Sequence, residues 1–144
     1  NLQAAIMNIN KFGITRWVND FILNRLFSVE GRGIMGTSDL AQAFRREIET
    51  RNPQGLAQYL TAMMNRKDIG PDMERAPFTV LQIVGEKSPF HEDSLDLNQY
   101  LDSSRSSWIE VPRCGSVITE ERPDSLTQSI DLFFKGLQQI GIGL

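Results

Sequence analysis

Cysteine and histidine are almost missing from this chain of 144 residues, which carries one of each, Cys114 and His91. A lone cysteine excludes an internal disulfide and any thiolate-rich metal site. A lone histidine excludes a multi-histidine zinc centre supplied by this chain alone. No apolar run approaches the roughly 18–20 residues that span a bilayer, so no integral membrane segment is expected. Repeats and low-complexity tracts are absent as well. The first residues show no basic-apolar-small leader pattern and already read as helix.

What remains is the composition of a globular domain. Hydrophobic residues make up 40% and charged residues 23%, enough apolar surface for a core at this length. The net charge of -3 argues against a general nucleic-acid binder. Residues 1–76 carry ten basic and eight acidic side chains, and residues 77–144 carry five and ten. The uneven charge reads as ordinary solvated faces; the acidic half favours at most a basic partner.

The first half reads as helix. Ile14, Trp17, Val18, Phe21, Ile22 and Leu26 recur at helical spacing and form one apolar stripe. A second helix opens at Thr37-Ser38-Asp39 and carries Leu40, Phe44 and Ile48. Pro53 suits the first turn of a third, bearing Leu56, Tyr59, Leu60, Met63 and Met64. Residues 2–9 read as a short leading helix. Met63, Met64 and Tyr59 are expected in a core or lid, and Arg45-Arg46 and Arg66-Lys67 on solvated helix faces.

After a polar crossing from Asp68 to Pro77 the pattern becomes strand, helix, strand, helix. Phe78 to Val84 is nearly continuous apolar, as expected for a strand buried on both faces of a parallel sheet. A helix over Glu92 to Leu101, a strand over Ser107 to Val111 and a final helix over Pro123 to Gln139 follow. That last helix should present Leu126, Ile130, Phe133, Phe134, Leu137 and Ile140 on one side. Two parallel strands leave two open edges, so the expected fold is the C-terminal portion of a larger sheet. The remaining strands would come from an N-terminal half outside this chain or from a partner.

This is the layout of the last two strands of an α/β-hydrolase, where a catalytic acid follows the first strand and a histidine the second. The turn after the first strand reads Gly85-Glu86-Lys87-Ser88-Pro89, with Ser88 where such enzymes commonly place Asp. The turn after the second reads Gly115-Ser116, with Ser116 where they place His and Pro123 opening the final helix. No Gly-x-Ser-x-Gly nucleophile turn occurs in the chain. A serine hydroxyl neither stabilises an imidazolium by charge nor shuttles a proton near neutral pH. Ser88 and Ser116 therefore read as vestigial positions. Glu86, two residues from the acid position, and His91, near a helix start, are the rescue candidates for acid and base. They read more simply as a loop carboxylate and a surface or capping residue. Cys114, beside Gly115, reads as a small buried residue more readily than as a nucleophile.

The segments Val84-Gly-Glu-Lys-Ser-Pro89, Cys114-Gly115 and Asp131-Leu-Phe-Phe-Lys-Gly-Leu137 resemble the C-terminal part of the N-myc downstream-regulated (NDR) family. The helices over Trp17 to Phe27 and Ser38 to Arg51, and the stretch Tyr59 to Asp68 ending Met64-Asn-Arg-Lys-Asp68, are similar to that family's cap in order. Glu86 departs from the Asp that related members often carry. The resemblance implies an α/β-hydrolase-like fold without hydrolase activity, with a helical cap between the sixth and seventh strands. It implies a cytoplasmic protein of differentiation, stress response or signalling that works through protein contacts.

The expected organisation is therefore a helical cap over residues 1–70 and the βαβα end of a hydrolase-like core over 71–144. Expected partners are other proteins, including the remaining half of the fold or a second copy of the chain. No cofactor, metal or nucleic acid is expected. The competing readings are an esterase-like hydrolase using Glu86 or residues elsewhere, and a small-molecule sensor that keeps a cap-covered pocket.

Overall fold

Short polar side chains set most of the helix starts in the first half. Asn1 accepts a hydrogen bond from the Ala4 amide, Thr15 from Val18, Ser28 from Gly31, Ser38 from Ala41 and Asn52 from Gly55. Each cap satisfies an amide that the helix itself leaves without a partner. The helices so opened are α1 (Leu2–Phe12), α2 (Arg16–Leu26), the single turn α3 (Val29–Arg32), α4 (Asp39–Glu49) and α5 (Pro53–Met64). The computed structural model describes residues 1–33 and 36–139, the side chains of 138 and 139 excepted. They fall into two units, Asn1–Asp68 and Ile69–Leu144.

In the first unit α1 lies against α5, and Ala5, Ile9, Val18, Ala57 and Leu60 form the core. Small residues on both helices let the backbones approach. Edge-on contact between Phe27 and Phe44, with ring centroids 4.9 Å apart, fastens α2 to α4. The expected stripe of α2 is only partly buried. Trp17 stays exposed and stacks on Phe21 at 5.8 Å, whereas Leu23 and Asn19 are buried. On α5, Leu60 points inward but Tyr59 is 63% exposed and Met64 is exposed too, so neither lies in the core of this unit. Arg45, expected on a solvated face, is a second correction. Its side chain is only 15% exposed because its guanidinium is drawn onto Asp20 of α2 at 2.7 Å.

The second unit begins with the turn α6 (Gly70–Met73), which the sequence pattern did not foretell. Strand β1 (Val80–Gly85), helix α7 (His91–Tyr100), strand β2 (Ser106–Val111), the turn α8 (Ile118–Glu121) and helix α9 (Pro123–Gln139) follow. The strands pair in parallel, in register from Val80 with Ser106 to Gly85 with Val111. Only Val84 and Gly85 of β1 are buried, against the expectation of a strand covered on both faces. A two-stranded sheet has too few neighbours to cover both faces or either outer edge. The same shortage shows on α9: Leu126, Phe133 and Leu137 are half-buried, but Ile130 and Phe134 are exposed. Ile140, expected on that face, lies outside the described residues. Among the described residues no helix is long and apolar enough to cross a membrane.

Candidate functional site

The two strands end side by side, and their following turns are stitched together by backbone. The Glu86 amide donates to the Val111 carbonyl at 2.9 Å and the Lys87 amide to the Cys114 carbonyl at 2.8 Å. Gly85 makes this possible. A Cβ at that position would collide with the carbonyl oxygens of Gly115 and Cys114, so only glycine permits so close an approach.

The result is that the sequence-predicted pair meets. Ser88 Oγ and Ser116 Oγ are 3.0 Å apart and share a hydrogen bond, although 28 residues separate them in sequence. Ser88 is 9% exposed and its hydroxyl also accepts from the Phe90 amide at 3.2 Å. The pair is a neutral hydroxyl contact at the carboxyl ends of the strands. It carries no charge and has no group that titrates near neutrality.

Glu86 and His91 are brought to different tasks. Glu86 Oε2 accepts from the amide of Arg113 at 2.7 Å, and Oε1 lies 2.6 Å from the Lys87 ammonium. Those two contacts, Lys87 first, hold its carboxyl below the usual value. Arg113 has a left-handed backbone, φ 54°, so Glu86 fastens a turn that a non-glycine residue adopts with some strain. His91 directs Nε2 to Oε2 of Glu110 on β2 at 2.6 Å, and its ring meets Trp108 edge-on at 5.7 Å. The hydrogen bond to Glu110 raises the imidazole above its ordinary value, with partial burial opposing. Glu86 and His91 are thus not paired with each other.

Cys114 is fully buried. Loss of water, and then the Glu121 carboxylate, push its thiol up to about 11, far from the thiolate that a nucleophile needs. Glu121 itself accepts from the Gly115 amide at 3.0 Å.

Sequence reasoning missed Glu110 and Glu121. The signal for Glu110 was present: successive side chains on a strand alternate faces, which puts Trp108 and Glu110 together. Nothing local marks Glu121, because its role depends on how α8 folds back on the turn after β2.

The sequence pattern of the Ndr family matches residues 3–141. The chain belongs to the Ndr family. Protein NDL1 of Arabidopsis thaliana is 32% identical to this Ndr-family chain over 127 residues, covering 87% of the chain and 37% of that protein. Protein NDRG2 of Mus musculus is 28% identical over 131 residues, covering 87% and 34%. The chain spans about a third of the length of the curated relatives it matches. Among solved structures, an esterase from Thermogutta terrifontis, described as malate bound, is similar with a TM-score of 0.74 and 18% identity. The similarity covers 95% of this chain and 49% of the esterase. A likeness at that identity speaks for fold alone. It is an α/β-hydrolase-like fold, of which this chain carries the helix-rich C-terminal portion with two parallel strands.

Proposed function

We propose that the Ndr-family protein containing this chain is non-catalytic and works through contacts with other proteins on a hydrolase-like scaffold. In this reading residues 1–70 are the helical cap, and residues 71–144 are the last βαβα portion of the core. Ser88 and Ser116 hold the positions at which a hydrolase keeps its acid and its histidine. The observation that carries the reading is the 3.0 Å contact between the two hydroxyls at the strand ends. A general base must accept a proton near neutral pH, and an orienting acid must be charged; two serines do neither. The engagement of Glu86 with Arg113 and of His91 with Glu110 supports the same reading, since both rescue candidates are held by other partners. The first partner is the rest of the sheet, which would cover the open edge of β1 and the exposed Ile130 and Phe134 of α9. Family membership favours a cytoplasmic role in differentiation, stress response or signalling.

The test is hydrolysis of p-nitrophenyl acetate and butyrate by the full-length protein. The expected result is a rate that rises linearly with enzyme and shows no saturation with substrate. Saturable turnover that disappears in Glu86→Gln or His91→Asn would sink the reading and restore an esterase.

A further inference from the structure

Three arginines in the first unit converge on one recess that the serine-pair reading does not use. Arg16 and Asp20 of α2, Arg32 at the end of α3, Arg45 of α4 and Gly36 line a cavity of about 280 Å³. Asp20 is the one carboxylate among the lining residues. It lies 2.7 Å from the Arg45 guanidinium and 3.9 Å from that of Arg16. Glu49 lines an adjoining recess with Arg16 and Arg45, and its Oε1 accepts from the Asn19 side-chain Nδ2 at 3.2 Å. Among the described residues Arg32 has no such partner: its Nε is buried from water and donates to none of them. A buried guanidinium N–H left without an acceptor is costly, and other atoms of the same Arg32 side chain line the cavity.

We propose that this recess binds a compact phosphate dianion, either inorganic phosphate or a small phosphate monoester. Three guanidiniums outnumber Asp20 in the recess and Glu49 beside it, leaving a net positive charge that a phosphate offsets. Guanidinium forks also match phosphate oxygens in pairs. The volume sits at or below the lower limit of about 300 Å³ for small-molecule pockets, which selects a small anion over a nucleotide. Gly36 has φ +70°, and a Cβ there would sit 3.4 Å from the Arg45 guanidinium. A side chain at that position would crowd the rim. Asp20 is then a competitor for the anion as well as a tether for Arg45, and an Asn there drops the competing charge but keeps an acceptor for Arg45, which gives the test a definite sign.

The experiment is calorimetric titration of the full chain with inorganic phosphate at low ionic strength, where the interaction is least screened. One saturable site is expected. Arg32→Gln, which removes the charge at nearly constant size, should weaken binding about tenfold or more, as loss of a charge-assisted hydrogen bond does. Asp20→Asn should tighten it severalfold. No saturable binding to the native chain overturns the proposal. So does binding that neither substitution changes, which would place the anion elsewhere on the surface. If Asp20→Asn fails to fold, the Arg32 Nε–H resonance of the native chain gives the second reading. Its movement in step with phosphate saturation supports the site, and its constancy overturns it.

Discussion

His91 reaches from the first turn of α7 to place Nε2 2.6 Å from Glu110 Oε2 on β2. Trp108 meets the ring edge-on, and its indole N–H donates to Ser94 Oγ at 3.1 Å, so His91 and Ser94 of α7 are fastened to Glu110 and Trp108 of the sheet. The bond to Glu110 favours the imidazolium, which places the folded-state value above the ordinary one. A raised value means that the contribution is fully present below the unfolded pKa and is lost as pH rises through the folded one. The urea midpoint should therefore fall as pH is raised upward from about 6.5, the ordinary histidine value. Glu110→Gln should flatten this slope. An unchanged slope in that variant would show that another group is responsible.

The serine pair makes a graded prediction. Ser116→Ala removes the hydroxyl contact with Ser88 and should cost about 1 kcal/mol in denaturant unfolding. Ser88→Ala should cost more, because it also removes the bond from the Phe90 amide. Equal losses from the two variants would mean that the bond from the Phe90 amide adds nothing at Ser88.

Gly85 admits no side chain. The carbonyls of Cys114 and Gly115 stand where a Cβ would go, and both belong to backbone that is itself hydrogen-bonded. Gly85→Ala should destabilise by about 1–3 kcal/mol or more, the usual cost of overpacking, and should shift the amide resonances of residues 113–116. A variant with native stability and native spectra there would contradict the described approach of the two turns.

Cys114 should be inert in the folded state. With its thiol buried and pushed up to about 11, labelling by a disulfide reagent at neutral pH should follow unfolding and not thiol ionisation. The rate should rise with urea in parallel with the loss of structure. Rapid stoichiometric labelling in buffer alone would show the sulfur to be accessible and reopen its reading as a nucleophile.

Much of this arrangement was legible in the residues because it rests on local chemistry. Ser38 and Asn52 cap α4 and α5 where the sequence placed helix starts, and Pro53 stands in the first turn of α5. The strand and final-helix positions followed from periodicity and differ from the expected bounds by a residue or two. Burial was less legible. Trp17, Tyr59, Met64 and Phe134 lie on or near apolar stripes yet are exposed, because a stripe marks a face without naming what covers it.

The order of residues alone settled where helices and strands form and which two serines follow the strands, since caps, prolines and spacing act over a few positions. Only the three-dimensional structure decided that those hydroxyls touch, that His91 pairs with Glu110, and that Arg32 meets a recess with Arg16 and Arg45. Such contacts join residues far apart in the chain, and a side chain's partner is fixed by the packing of whole elements, which no short stretch of sequence encodes.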